Sequence, residues 1–168
     1  MKQFVIILAS AFILFSCGGG TEPAQEPATT PAATETPATE EATLEPVTLT
    51  IAGDDHMKYD KDKLTVKEGQ EVTLILTHPG TMTKDAMGHN WVLLKKGVDI
   101  QEFAMEAIGA KDNGYIPVGT NKVIAHTDMI GGGEETKITF TAPKKGTYNF
   151  LCTFPGHFAT MQGKFIVE

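Results

Sequence analysis

The sequence predicts an all-β domain, a β-sandwich of about eight short strands with one inserted α-helix. Three observations carry this. From Val47 onward, apolar side chains recur at every second residue in short stretches. Turn signals rich in Gly and Pro separate those stretches. One segment alone switches to helical spacing.

The strands can be taken in order. "VTLTIA" opens at Val47, and "EVTLILTH" alternates around Val72, Leu74 and Leu76. "TKITFTAP", "TYNFLC" and "GKFIVE" continue the period of two, which is the pattern of strands with one buried face. Shorter strands are expected at Lys63 to Lys67, His89 to Leu94 and Lys122 to His126. Between them "KEGQ", "MIGGGEE" and "PKKG" supply turns. The helix is "DIQEFAMEAIGA", where Ile100, Phe103, Ala104, Ala107 and Ile108 fall on one face and Gly109 lies near the end.

Ahead of this domain the composition changes. Lys2 precedes the apolar run Phe4 to Phe15, which is too short to span a bilayer, and "LFSC" places Cys17 after a small residue. The pattern resembles a bacterial lipoprotein signal. Residues 1–16 are then a removed signal peptide and Cys17 carries the lipid anchor; in an ordinary secretory signal Cys17 would be incidental. Residues 17–46 continue as a linker of Thr, Pro, Ala and Glu with no apolar period, a composition that cannot bury enough surface to offset its ordering entropy. Residues 47–168 form the domain.

Charge excludes one class of function. The chain has 14 Lys and no Arg against 21 acidic residues, a formal net charge of -7, and no basic stripe that could neutralise phosphates. Nucleic acid is therefore not an expected partner. Much of the acidity sits in the linker, as Glu22, Glu26, Glu35, Glu40, Glu41 and Glu45.

With Cys17 assigned to lipid, Cys152 in "CTFPGHFATM" is left without a disulfide partner in an exported domain. It could be an inert buried thiol. Its neighbours favour another reading. Cys152 ends a strand, His157 follows in a Pro-Gly turn and Met161 opens the next strand, so one tight loop can turn all three side chains toward a point. Thiolate, imidazole and thioether are soft donors that select copper over Mg or Ca. "MGHNWVLL" offers His89 as a further ligand, directly after Gly88. Two His and one Cys with a weak axial Met is the donor set of blue-copper electron-transfer sites.

The stretches "HPGTMTKDAMGHNWVLL", "VIAHTDMIGGGE" and "FLCTFPGHFATMQGKF" resemble the azurins, a family of bacterial cupredoxins, and the similarity spans Val47 to Glu168. The resemblance implies a Greek-key sandwich and one copper ion per domain, cycling between Cu(I) and Cu(II). It makes His89, Cys152 and His157 the equatorial ligands, Met161 a long axial ligand and the Gly88 carbonyl a weak contact opposite. Asn90 and the backbone near Phe154 would hydrogen-bond around the thiolate. Met57, Met82, Ala86, Met87, Phe154 and Gly156 would ring the edge of the His157 imidazole as an apolar docking patch for redox proteins such as cytochromes or copper oxidoreductases; ordinary loop packing is the plainer account of them. Azurins usually carry a disulfide near the first strands, but the matching "TVKEGQEV" has no cysteine, so stability must rest on the core and the metal.

The expected function is one-electron transfer, not enzymatic turnover, because this ligand set leaves no open position for a small-molecule substrate. His56, His78 and His126 stand singly, without the paired pattern of a trinuclear copper centre. His78 reads as a satisfied strand-end histidine, His126 as surface, and Trp91 as core. Copper storage or delivery is the alternative, and a metal-free adhesion module a more distant one. The expected location is the cell envelope, with the domain lipid-anchored to a bacterial membrane, the outer one on the strength of Gly18 after the lipidated cysteine.

Overall fold

A computed structural model describes residues 44–168 of the chain. The signal sequence, Cys17 and nearly all of the linker lie outside the described residues.

Among the described residues, eight strands form two sheets. The first holds β1 (Val47–Ala52), β3 (Glu71–Thr77) and β6 (Glu135–Thr141), in the order β1-β3-β6. The second holds β2 (Lys63–Val66), β4 (Val92–Leu94), β5 (Val123–His126), β7 (Gly146–Leu151) and β8 (Gln162–Val167), in the order β2-β8-β7-β4-β5. β1 runs parallel to β3 and β2 parallel to β8; the other pairs are antiparallel. The architecture is the expected sandwich.

Alternation along each strand decides what enters the core. Val72, Leu74 and Leu76 of β3 are fully buried, and they face Leu64, Val66, Leu93, Phe150, Phe165 and Val167 of the other sheet. Trp91 fills the centre, its ring centroid 5.7 Å from that of Phe150 and 6.0 Å from those of Phe140 and Phe165. Truncating one such aromatic removes both its transfer free energy and its packing, about 3–5 kcal/mol. The turn after β2 follows from "KEGQ": Gly69 takes φ +76, and the Lys67 amide donates to Gln70 Oε1 at 3.0 Å.

β4 departs from alternation because both of its faces are covered. Leu93 points into the sandwich, while Val92 and Leu94 pack on Phe103, Ala104, Ile116 and Leu151 beneath α2 (Ile100–Ala107). The run "WVLL" is apolar throughout for that reason. The strand is also shorter than the sequence suggests: His89 pairs with Ile130 only as an isolated bridge, and β4 starts at Val92.

α2 begins where Asp99 caps it, its carboxylate accepting from the Glu102 amide at 2.8 Å. Phe103, Ala104 and Ala107 are buried as predicted, but Ile108 is 42% exposed. α2 ends there, and the chain continues as a 3-10 segment, Ile108–Asn113, that breaks helical geometry at Ala110 (φ -106, ψ 33), leaving Ile108 at the uncovered end of the helix. One further helical turn, α1 (Lys84–Met87), was not evident in the sequence; four residues are too few to show a period.

Candidate metal centre

The centre lies where β4 is approached by His89 and where β7 leads into the loop that returns as β8. His89 is held by its backbone: its amide donates to the Ile130 carbonyl at 2.9 Å, and Ile130 returns the bond at 2.8 Å. Its ring is fixed as well. Nε2 donates to the Asp54 carbonyl at 2.9 Å, and the ring stacks on His78 with centroids 4.4 Å apart. Because Nε2 carries the proton, Nδ1 presents a lone pair, and this buried atom has no hydrogen-bond partner among the described residues. Gly88 precedes it because a Cβ there would lie 2.5 Å from the Lys84 carbonyl oxygen and 2.9 Å from Met129 Sδ.

The Cys152 loop closes on itself. The Cys152 amide donates to Met161 O at 2.9 Å, the His157 amide to Phe154 O at 3.0 Å and the Met161 amide to His157 O at 2.8 Å. Gly156 turns the chain at φ +84, and His157 starts a short 3-10 turn, His157–Ala159. Met161 precedes β8 and does not belong to it. Asn90 locks the loop to His89: its Nδ2 donates to Thr153 Oγ1 at 2.7 Å and to Gly114 O at 3.1 Å, and its Oδ1 accepts from the Thr153 amide at 2.9 Å. Tyr59 donates its hydroxyl to the Asn90 carbonyl.

These constraints bring three buried donors together. One ligand atom each from His89, Cys152 and His157 lies within 4.8 Å of the others. Cys152 Sγ is 3.7 Å from His157 Nδ1 and 3.9 Å from Gly88 O. Met161 is fully buried, and a Cβ added to Gly53 would lie 2.9 Å from both its Cε and His89 Cδ2, so its methyl reaches the same place. Burial pushes the Cys152 thiol up to about 11, against the amides of Asn90 and Phe154, which favour the thiolate. Burial also pushes His157 down to about 4, with His89 and His78 adding to the effect, and lowers His89. Both imidazoles are therefore neutral at pH 7 and able to donate lone pairs. An unpartnered Nδ1, a second neutral imidazole and a buried thiol suit a soft cation.

Comparison with known proteins agrees. The family model of copper-binding proteins, plastocyanin/azurin family, matches residues 46–168. This chain belongs to that family. Azurin-1 of Alcaligenes xylosoxydans xylosoxydans is 45% identical over 118 residues, covering 67% of this chain and 91% of that protein. Outer membrane protein H.8 of Neisseria gonorrhoeae is 42% identical over 118 residues, covering 68% of this chain and 64% of that protein. Among solved structures, auracyanin A, a "blue" copper protein of Chloroflexus aurantiacus, superposes with a TM-score of 0.67 at 36% identity, over 73% of this chain and 99% of that one. Reduced auracyanin of Roseiflexus castenholzii gives 0.66 at 39% identity, over 72% and 96%. The chain is thus a cupredoxin that uses copper to carry electrons.

The remaining sequence expectations can be placed. His78 is buried and satisfied, Nε2 donating to Met87 O at 3.0 Å and Nδ1 accepting from the Gly80 amide at 3.1 Å. His126 is exposed and Trp91 is core. Met57, Met82, Ala86 and Gly156 are exposed, while Met87 and Phe154 are half-buried. Asp54, Gly53, Tyr59 and Thr153 had no sequence signal. Asp54 acts through a backbone carbonyl, Gly53 by lacking a side chain, and Tyr59 and Thr153 across separations of 31 and 63 residues from Asn90.

Proposed function

We propose that His89 Nδ1, Cys152 Sγ and His157 Nδ1 would be the principal copper ligands, with the Met161 thioether and the Gly88 carbonyl as weaker contacts. The convergence of three buried donors within 4.8 Å, one of them an unpartnered Nδ1, carries the assignment. Bound there, copper supplies a one-electron Cu(I)/Cu(II) couple. The protein's part is to hold the ligands still. His89 is pinned by Asp54, Ile130 and the stack on His78, and the loop by Asn90, so little moves when the charge changes. Small rearrangement makes exchange fast.

Electrons reach the site beside His157, through the patch of Met57, Met82, Ala86, Met87, Phe154 and Gly156. Met57 and Met82 are each 40% exposed, and flexible thioethers suit a surface that meets several redox proteins, cytochromes or copper oxidoreductases. Copper storage or delivery is the weaker reading, since a buried, tightly pinned donor set favours retention over exchange. Residues 1–16 are a signal peptide, Cys17 a lipid anchor and 17–46 a linker that lets the domain at 47–168 stand off an envelope membrane, as the name of the H.8 relative supports.

The test is the visible spectrum of the Cu(II)-loaded chain beside Cys152→Ser. An intense thiolate-to-copper band, bleached by reductant and absent in the variant, is expected; colour indifferent to Cys152 would sink the ligand assignment. For the anchor, Cys17→Ser should move the expressed protein from the membrane to the soluble fraction.

A further inference from the structure

Gly114 and Tyr115 follow the 3-10 helix and both adopt left-handed backbone, at φ +60 and +61. Gly is at ease there; Tyr is not, and Asn or Gly would relieve the strain. The backbone is nonetheless firmly held. The Tyr115 amide donates to Ala110 O at 2.9 Å, the Gly114 amide to Lys111 O at 3.1 Å, and Gly114 O accepts from Asn90. A bulky ring has been kept where the turn itself does not call for one.

The ring has a specific contact. It meets Phe154 edge-on, with centroids 5.4 Å apart at 64°, and Phe154 in turn lies over the His157 imidazole, with centroids 4.6 Å apart at 38°. Three rings thus run in series from the surface to a ligand. Tyr115 and Phe154 also line a cleft of about 230 Å³ whose other walls include Lys84, Lys111, Asp112 and Met129. His157 does not line that cleft and is 2% exposed, while Phe154, which does line it, packs against the imidazole.

We propose that Tyr115 is a positioning residue for the metal centre: its ring clamps Phe154 against His157 and closes the cleft side of the site to water. This rests on His157 being a copper ligand. Without the clamp Phe154 is free to swing toward the cleft, and solvent gains the imidazole. Water favours the more highly charged Cu(II), so the reduction potential falls. The ring makes the contact, so phenylalanine should serve as well as tyrosine.

The experiment compares the full chain with Tyr115→Phe, Tyr115→Gly and Tyr115→Asn, the last two chosen because they tolerate positive φ and remove the ring without adding strain. Reduction potential and the water-proton relaxivity of the Cu(II) form are measured, together with the rate at which a thiol reagent labels Cys152 in the copper-free protein. Tyr115→Phe should match the native chain on all three. Tyr115→Gly and Tyr115→Asn should both show a lower potential, higher relaxivity and faster labelling, by about tenfold if opening of the loop limits access. Native values in both ring-less variants would overturn the proposal, and so would failure of both to fold, which would make Tyr115 a structural residue. A native chain without the Cys152-dependent blue band would instead refute the ligand reading, whatever the Tyr115 variants do.

Discussion

Replacing Asn90 by leucine keeps the branched shape of the side chain but adds bulk and removes every polar contact the side chain makes. The Thr153 amide loses its acceptor at 2.9 Å, the Thr153 hydroxyl its donor at 2.7 Å and the Gly114 carbonyl its donor at 3.1 Å. Thr153 is 1% exposed, so water cannot substitute at its amide. An orphaned buried amide costs about 1–3 kcal/mol, and the two other lost bonds about 1 kcal/mol each. The sum is a loss of about 3–5 kcal/mol from the polar contacts alone, to which the added bulk contributes about 1–3 kcal/mol more. Urea unfolding of the copper-free chain is the assay, because bound metal would add its own binding free energy to the native state. With a slope of about 1.5 kcal/mol per molar, the midpoint should fall by about 2 M or more. In a double-mutant cycle with Thr153→Val the two losses should fall short of additivity by about 1 kcal/mol or more. A loss below 1.5 kcal/mol, or strict additivity, would refute the view that this amide fastens the ligand loop.

Cu(II) binding at pH 7 should release about one proton, from Cys152, because its thiol is pushed up to about 11 while His157, pushed down to about 4, and His89 are already neutral. Affinity should then fall about tenfold per pH unit as the solution is acidified, and more steeply near pH 4; calorimetry in buffers of different ionisation enthalpy counts the protons, and a count of two would contradict the neutral imidazoles. Gly53→Ala should leave the fold intact yet push His89 and Met161 apart, since its Cβ would stand 2.9 Å from each; copper affinity should drop about 10- to 100-fold, measured by competition with a chelator. Trp91, the single tryptophan, is fully buried and its Nε1 has no partner, so its emission should sit at the blue limit for indole and move to the red in step with global unfolding. Emission typical of hydrated indole would contradict that packing.

The strands that line one face of the sandwich were legible because alternation in sequence is alternation in space. β4 was legible as a strand but not in its extent, since covering both faces erased the period that would mark its start, and the Ile108 assignment failed because the apolar pattern runs one residue past Ala107, where α2 ends. At the metal centre the clustering of His89, Cys152 and His157 was readable, as imidazole and thiol have few other uses at that spacing. Asn90 was singled out through the resemblance, but the other groups that hold them were not legible: Asp54 and Gly114 contribute carbonyl oxygens that any residue would own, and they reach their partners across 35 and 24 positions. Tyr115 announces itself only through a backbone angle.

β8 follows all the other described strands in sequence, yet it lies inside its sheet, between β2 and β7. The loop from Cys152 to Met161 comes just before it. A growing chain that has reached β7 therefore has neither a closed second sheet nor a complete set of copper donors. Closure of the sheet and metal competence arrive together. Copper has no finished cradle until β8 has slotted between β2 and β7, so metal capture waits on that insertion.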